Sequence, residues 1–320
     1  MRQQRRFSIL SIDHLVLRVS NLESILHFYC DILGCSVERR QENLGLVQLR
    51  AGHSLIDLVP VDSELGQAGG AAPGTEGRNL QHFCLRIEPF DAAAIRERMA
   101  AHGIEVGAVG NRYGAEGYGP SLYLADPEGN EIELKGPSPL PEACVEVLKF
   151  WFEEIEPAQW WRKDEAFDRM IVERFAALHR SAVAGELFEW RKTARGRLAE
   201  VIVLDQFSRN MFRGSPLSFA CDPVALALAQ EAIAAVADKA LKQAERSFLY
   251  MPFMHSESLQ IHELAMELFK QNGNPHNRDF EYRHKAIIER FGRYPHRNAI
   301  LGRPSSEAEI EFLRQPGSSF

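Results

Sequence analysis

The sequence lacks the features that mark several classes of protein. None of its apolar runs approaches the ~18 to 20 residues that a membrane-spanning helix requires. Its five cysteines are scattered, odd in number and free of CxxC spacing, which argues against a disulfide framework and favours reduced thiols. No apolar segment follows the basic N-terminus, so a secretory signal is not expected. We therefore predict a cytoplasmic protein that does not associate with membranes.

The chain also has no strong charge of one sign. It carries 37 Lys and Arg residues against 44 Asp and Glu residues, a formal net charge of −7. Nucleic-acid binding domains usually show a basic excess, so we predict no nucleic-acid partner. With 320 residues, 45% of them hydrophobic, the chain has the size and composition of a globular protein of two domains.

A proline-rich stretch, GPSPLPEA at 136–143, divides the chain into halves of different character. Short alternating segments and frequent glycines come before it, and long helical patterns follow it. We predict an N-terminal domain at 1–137 and a C-terminal all-α domain at 142–320.

The N-terminal half contains an internal repeat. The segments IDHLVLRV at 12–19 and LQHFCLRI at 80–87 align without gaps and share His, Leu and Arg at the same places. A helical pattern that ends in glycine follows each of them. Strand patterns then follow at 36–41, 45–50, 53–59, 105–109, 120–125 and 130–135. The sequence thus predicts two βαβββ units joined by the glycine-rich stretch 63–79.

Four polar residues occupy matched positions in this repeat. His14 and His82 lie on the first strands of the two units, and Asp57 and Glu133 lie on the last strands. If the units pack with pseudo-two-fold symmetry, the four side chains converge on one cavity. Asp57 is flanked by apolar residues on both sides, and a buried carboxylate needs a cation or hydrogen-bond donors. Imidazoles and carboxylates suit Zn²⁺, Ni²⁺, Mn²⁺ or Fe²⁺.

Residues 9–136 resemble the vicinal oxygen chelate superfamily of glyoxalases, bleomycin-resistance proteins and extradiol dioxygenases. The resemblance is carried by IDHLVLRVSNLESILHFYCDILG and by GPSLYLADPEGNEIELKG, which contains a turn similar to the superfamily's Asp-Pro-x-Gly-Asn-x-x-Glu signature. It implies an α+β fold in which paired βαβββ units form an open, barrel-like sheet. It also implies a divalent metal ion (Zn, Ni, Mn or Fe) bound by His14, His82 and Glu133.

The same resemblance implies an enzyme that acts on a small oxygenated molecule. The expected reaction is of lyase or isomerase type, in which the metal ion stabilises negative charge on adjacent substrate oxygens. Asp57 would be the catalytic base, and Tyr123 would donate a hydrogen bond to the substrate. The alternatives are an extradiol Fe²⁺ dioxygenase and a non-catalytic protein that binds a small molecule. Superfamily members often form dimers, so a homodimer is possible. The stretch 111–121 could cover the cavity or simply form a hairpin connection.

The C-terminal half contains seven helical patterns between 142 and 292. It resembles DUF924, a bacterial family of unknown function whose members are described as TPR-like helical proteins. Polar residues are concentrated at 203–216, 248–258 and 290–303. They predict either a buried ionic network that fixes helix register or a pocket for a peptide or small anion, with Arg209, Arg293 and Arg297 as donors.

Overall fold

The computed structural model describes residues 12–68, 71–72, 74 and 80–318. The chain forms two compact units, Met1–Ser138 and Pro139–Phe320. The break lies within the proline-rich stretch that separates the two sequence patterns. Much of the predicted linker at 63–79 lies outside the described residues, although the short helix Glu64–Gln67 is described within it.

The first module of the N-terminal unit has the predicted βαβββ order. Its elements are β1 (His14–Val19), α1 (Leu22–Leu26, continued by the π-helical turn His27–Ile32), β2 (Ser36–Gln41), β3 (Leu46–Ala51) and β4 (Ser54–Pro60). The short helix Glu64–Gln67, called α2, follows. The strand order in the sheet is β1-β4-β3-β2, with β1 parallel to β4 and the other pairs antiparallel.

The second module repeats this topology. Its elements are β5 (His82–Arg86), α3 (Ala92–Ala100), β6 (Gly110–Gly114), β7 (Gly117–Ala125) and β8 (Glu131–Lys135). The strand order is β5-β8-β7-β6, and again only the first and last strands of the module pair in parallel. Apolar residues of both modules share one core, in which Ile25, Leu49, Leu122 and Ile132 are fully buried. The α+β fold of two open four-stranded sheets is the one the sequence predicts.

One local prediction in the second module needs correction. The segment predicted as a strand at 105–109 makes a single bridge, Val106 to Leu124, and the strand lies at Gly110–Gly114 instead. The stretch 111–121 therefore forms a tight hairpin between β6 and β7. Gly117 adopts a φ of +93°, a conformation that favours glycine and allows the chain to reverse there.

The C-terminal unit is mostly helical, as the sequence predicts. Its α-helices are α4 (Glu142–Lys149), α5 (Glu165–Val183), α6 (Ala194–Ile202), α7 (Ser208–Met211), α8 (Asp222–Ala234), α9 (Gln243–Met254), α10 (Leu259–Asn272), α11 (Pro275–Phe291) and α12 (Glu307–Leu313). The pattern at 193–212 is a composite, because the π-helical turn Val203–Phe207 separates α6 from α7. The helix α12 was not predicted, and Ser306 caps it through a hydrogen bond to the Glu309 amide.

Aromatic side chains fill the core of the C-terminal unit. Trp151, Phe150, Phe175 and Phe207 are almost fully buried, with ring centroids 4.8 to 6.5 Å apart in the contacts that link them. One segment of the described chain, Pro216–Ala234, is long and apolar enough to cross a membrane by length and composition alone. That is weak evidence, since helices in the core of soluble proteins meet the same criterion.

Candidate functional site

Strand register brings together three of the predicted site residues in the second module. Tyr123 on β7 and Cys84 on β5 both pair with Glu133 on β8, and His82 lies two residues before Cys84 on the same strand. Residues paired across a sheet or two apart along a strand point to the same face. As a result, His82 Nε2 lies 3.6 Å from Glu133 Oε2, and Tyr123 Oη lies 3.4 Å from the same oxygen.

Glu133 is the most unusual residue of this group. The side chain is buried, and its second carboxylate oxygen, Oε1, has no hydrogen-bond partner among the described residues. A buried carboxylate oxygen without a partner is unfavourable, because its interactions with water have been lost and not replaced. The arrangement fits a cation or a hydrogen-bond donor that would bind at this oxygen. Glu133 is therefore not a solvated acid on a surface strand.

The neighbours of Glu133 are held in their protonated forms. Burial, together with the nearby carboxylate, raises the pKa of the Cys84 thiol to about 11. Burial and the same carboxylate also raise the pKa of Tyr123. The guanidinium of Arg112 lies 4.7 Å from the centre of the Tyr123 ring. At neutral pH Tyr123 therefore carries its proton and can donate a hydrogen bond.

The first module contains the matching pair, Asp57 and Gln48. Asp57 is buried on β4, and Gln48 Nε2 on β3 lies 3.1 and 3.0 Å from its two carboxylate oxygens. Gln48 pairs with Asp57 as Tyr123 pairs with Glu133, so the two modules place equivalent polar pairs on equivalent strands. Sequence reasoning overlooked Gln48, although its position opposite an apolar-flanked acid was a usable signal.

His14 lies at the start of β1 and is exposed. Its Nδ1 is 2.7 Å from Asp13 Oδ1, and this hydrogen bond, supported by the charge of Asp57, raises the pKa of His14. Among the described residues, no group of three or more His, Cys, Asp or Glu side chains is arranged to hold a metal ion. The structure thus pairs His82 with Glu133, and the addition of His14 as a third ligand stays a prediction.

The turn 126–130 has a structural role that the sequence did not reveal. Asp126 accepts hydrogen bonds from the Asn130 amide at 2.8 Å and from Tyr29 Oη at 3.1 Å. Glu128 Oε1 accepts from the backbone amides of Ser20 and Asn21, at 2.5 and 2.8 Å, where α1 begins. This turn of the second module therefore binds the helix of the first, in addition to leading into the strand that carries Glu133.

The polar stretches of the C-terminal unit form ion pairs. Arg209 donates to both carboxylate oxygens of Asp222 at 2.9 and 3.0 Å, and Arg293 donates to both oxygens of Glu309 at 2.7 and 2.8 Å. Arg297 contacts Asp222 at 3.3 Å. These contacts agree with the interpretation of the polar stretches as an ionic network that fixes helix register. Binding of a peptide or small anion stays a prediction.

Two consecutive βαβββ modules, with histidines on their first strands and acids on their last, define the vicinal oxygen chelate class of proteins. The chain belongs to the Glyoxalase/Bleomycin resistance protein/Dioxygenase superfamily through residues 11–134, and to DUF924, a family of bacterial proteins of unknown function, through residues 147–317. Both resemblances found in the sequence are thereby confirmed.

Three similar proteins illustrate the two parts of the chain. A glyoxalase domain-containing protein of Mycosarcoma maydis is 36% identical over 136 residues, which are 42% of this chain and 72% of that protein. The catechol-2,3-dioxygenase of Bacillus subtilis is 27% identical over 129 residues, which are 40% of this chain but only 42% of that enzyme. A solved protein of unknown function from Agrobacterium tumefaciens is 37% identical, with a TM-score of 0.52, over 53% of this chain and 96% of that one.

Proposed function

We propose that the N-terminal domain is a metal-dependent enzyme that acts on a small oxygenated molecule, in a reaction of lyase or isomerase type. The observation that carries this proposal is the buried Glu133 carboxylate, which has one unpartnered oxygen beside His82 and Tyr123. Glu133 and His82, together with His14, would hold one divalent ion (Zn, Ni, Mn or Fe). When bound, such an ion acts as a Lewis acid toward substrate oxygens.

The protein's own side chains would divide the remaining tasks. Tyr123, protonated at neutral pH, would donate a hydrogen bond to a substrate oxygen as negative charge develops there. Asp57 would accept the proton that the substrate loses, with Gln48 holding its carboxylate in place. The burial of Asp57 and Glu133 keeps bulk water away from both carboxylates, which strengthens their electrostatic effect on a bound substrate.

The test is metal analysis of the purified full chain, produced in medium supplied with Zn, Ni, Mn and Fe. We expect close to one divalent ion per chain in the wild type, and a loss of most of it in Glu133→Ala and His82→Ala. Glu105→Ala is the control, because Glu105 is an exposed carboxylate of the same module that lies outside the strands of the site. A wild type without metal, or a Glu133→Ala variant that retains it, would contradict the proposal. His14→Ala tests the third ligand separately.

Ring cleavage by an Fe²⁺ dioxygenase is the second candidate, and the similarity to a catechol-2,3-dioxygenase favours it. The same preparations distinguish the two. Iron as the bound metal, with oxygen uptake when catechol is added, would assign the dioxygenase reaction. Another metal and no oxygen uptake would favour the lyase or isomerase class. A chain that binds small oxygenated molecules without turnover would belong to the non-catalytic binding class.

A further inference from the structure

The C-terminal unit contains a cavity of about 420 Å³, a volume typical of sites for small molecules. It is lined by the 3₁₀ turn Pro216–Phe219, the beginning of α8 and the segment that follows α9. Much of the wall is apolar and is formed by Pro216, Phe219, Pro223, Leu226, Pro252 and Leu301. A ligand in this cavity would therefore be apolar over much of its surface.

One titratable side chain in the wall has a defined hydrogen-bonding role. His255 lies at the end of α9, and its Nδ1 is 2.8 Å from Oδ1 of the fully buried Asp205. Burial opposes ionisation of Asp205, but the charge of Arg209 and the hydrogen bond from His255 outweigh it and hold the pKa of this carboxyl below its usual range. An ionised carboxylate only accepts hydrogen bonds, so the proton of His255 must be on Nδ1.

The other ring nitrogen of His255 is consequently an acceptor. Burial and the charge of Arg209 lower the pKa of His255, so the imidazole is neutral at pH 7. Among the described residues, none forms a hydrogen bond with Nε2. Because Nδ1 bonds to Asp205 and His255 lines the cavity, Nε2 is the ring nitrogen that is available to a ligand.

The charges around the cavity are already balanced. Three carboxylates are matched by three guanidiniums: Arg209 with Asp205 and Asp222, Arg297 with Asp222, and Arg303 with Glu257. A charged ligand would lose its hydration on entering and find no charge that lacks a counter-ion, at a considerable cost in free energy. A neutral ligand avoids this cost.

The wall is also held in place before any ligand binds. The guanidinium of Arg297 lies 4.6 Å from the ring centres of Phe219 and Tyr294, and its Nη2 donates to the backbone oxygen of His255 at 3.0 Å. Asp205 itself lies in the π-helical turn Val203–Phe207, a type of distortion that is frequent at functional sites. A preformed site loses little entropy when it binds a ligand.

We propose that this cavity is a second binding site, for a small neutral molecule that is largely apolar and donates one O–H or N–H hydrogen bond to Nε2 of His255. The site belongs to the helical unit and is independent of the function proposed for the N-terminal domain. Its hydrogen-bond acceptor, Nε2 of His255, distinguishes it from a cavity that binds any apolar molecule.

Phenol and toluene test the proposal, because they have nearly the same shape and only phenol donates a hydrogen bond. Both are titrated into the full chain with isotope-labelled histidine, and the imidazole resonances of His255 are followed by NMR. We expect saturable shifts with phenol and an affinity for toluene roughly two- to tenfold lower, as one hydrogen bond contributes. Equal affinities, or no shift of His255 with phenol, would overturn the proposal.

A pair of variants locates the binding. Ala220 lines the cavity, so Ala220→Phe fills it and should weaken phenol binding at least about tenfold, a factor typical of a blocked pocket. Leu217→Phe is the control. Leu217 precedes Ala220 by three positions in the sequence, is not among the residues that line the cavity, and is 53% exposed. Unchanged phenol binding in a folded Ala220→Phe variant would place phenol elsewhere and overturn the site. If Ala220→Phe does not fold, the comparison of phenol with toluene still tests the proposal, because it uses the unmodified chain.

Discussion

At the scale of single residues, the two buried acids at matched positions on β4 and β8 each contact a partner on the adjacent strand. Gln48 satisfies both oxygens of Asp57, whereas Glu133 keeps one oxygen without a partner. Equivalent positions of the two modules therefore differ in what they leave available. Asp57 is fixed in place by the protein, and Glu133 is free to bind another group.

Gln48→Ala should destabilise the N-terminal domain by about 1–3 kcal/mol, because it leaves the Asp57 carboxylate buried without a donor. Urea unfolding followed by circular dichroism measures the change. Gln41→Ala is the control, since Gln41 makes only a 3.4 Å contact with Gln48. Adding Asp57→Asn to Gln48→Ala should recover part of the loss, because it removes the unpaired charge. A double variant less stable than Gln48→Ala would contradict this account.

The same residues show what the sequence could predict about the site. Internal repetition aligned His14 with His82 and Asp57 with Glu133, because matched positions in repeated units occupy matched places in the fold. Repetition alone did not identify the partner of each acid, because that also requires the register between neighbouring strands, which would have placed Gln48 opposite Asp57. Gln48 and Tyr123 occupy equivalent positions but share no chemical signature in the sequence.

At the scale of elements, the turn 126–130 connects the two modules. Its Glu128 carboxylate accepts from two backbone amides at the beginning of α1, where the helix dipole also favours a negative charge. Sequence patterns predicted the turn and the helix separately. They could not predict this contact, because it joins residues more than one hundred positions apart.

Glu128→Ala should therefore loosen α1 and destabilise the N-terminal domain by about 1–2 kcal/mol, as loss of a charged helix cap does. Hydrogen exchange of the segment that contains Ser20 and Asn21 should become faster. Glu105→Ala, at an exposed position outside the elements of the second module, is the control and should leave that exchange unchanged. Unaltered exchange in Glu128→Ala would mean that the contact contributes nothing to the docking of α1.

The sequence patterns also predicted some strands and helices better than others. Period-two and helical patterns predicted most elements, because one face of each is buried against the core. The strand at Gly110–Gly114 was missed because it begins and ends with glycine and has no alternation of apolar and polar residues. The part of β7 that pairs with it is also rich in glycine. The helix α12 was missed because it is short and lacks a long apolar periodicity, although the capping box of Ser306 and Glu309 marks its start.

At the scale of the whole molecule, the two units should respond differently to acid. The C-terminal unit buries histidines in their neutral form: burial lowers the pKa of His284 to about 3 and that of His296 to about 4. In the unfolded chain these side chains have ordinary pKa values of about 6.5. Their contribution to stability is therefore fully present above pH 6.5 and is lost as the pH falls toward 4 and 3, because the unfolded state binds the protons first.

Tryptophan fluorescence isolates this effect, since all four tryptophans of the chain lie in the C-terminal unit. Thermal unfolding followed by this signal should shift to lower temperature between pH 6.5 and 4, with each buried histidine contributing up to about 1.4 kcal/mol per pH unit. His284→Gln should reduce the slope. His276→Gln, at an exposed position on the same helix α11, should leave it unchanged. A slope that is equal in both variants would show that the acid sensitivity of the helical unit has another origin than its buried imidazoles.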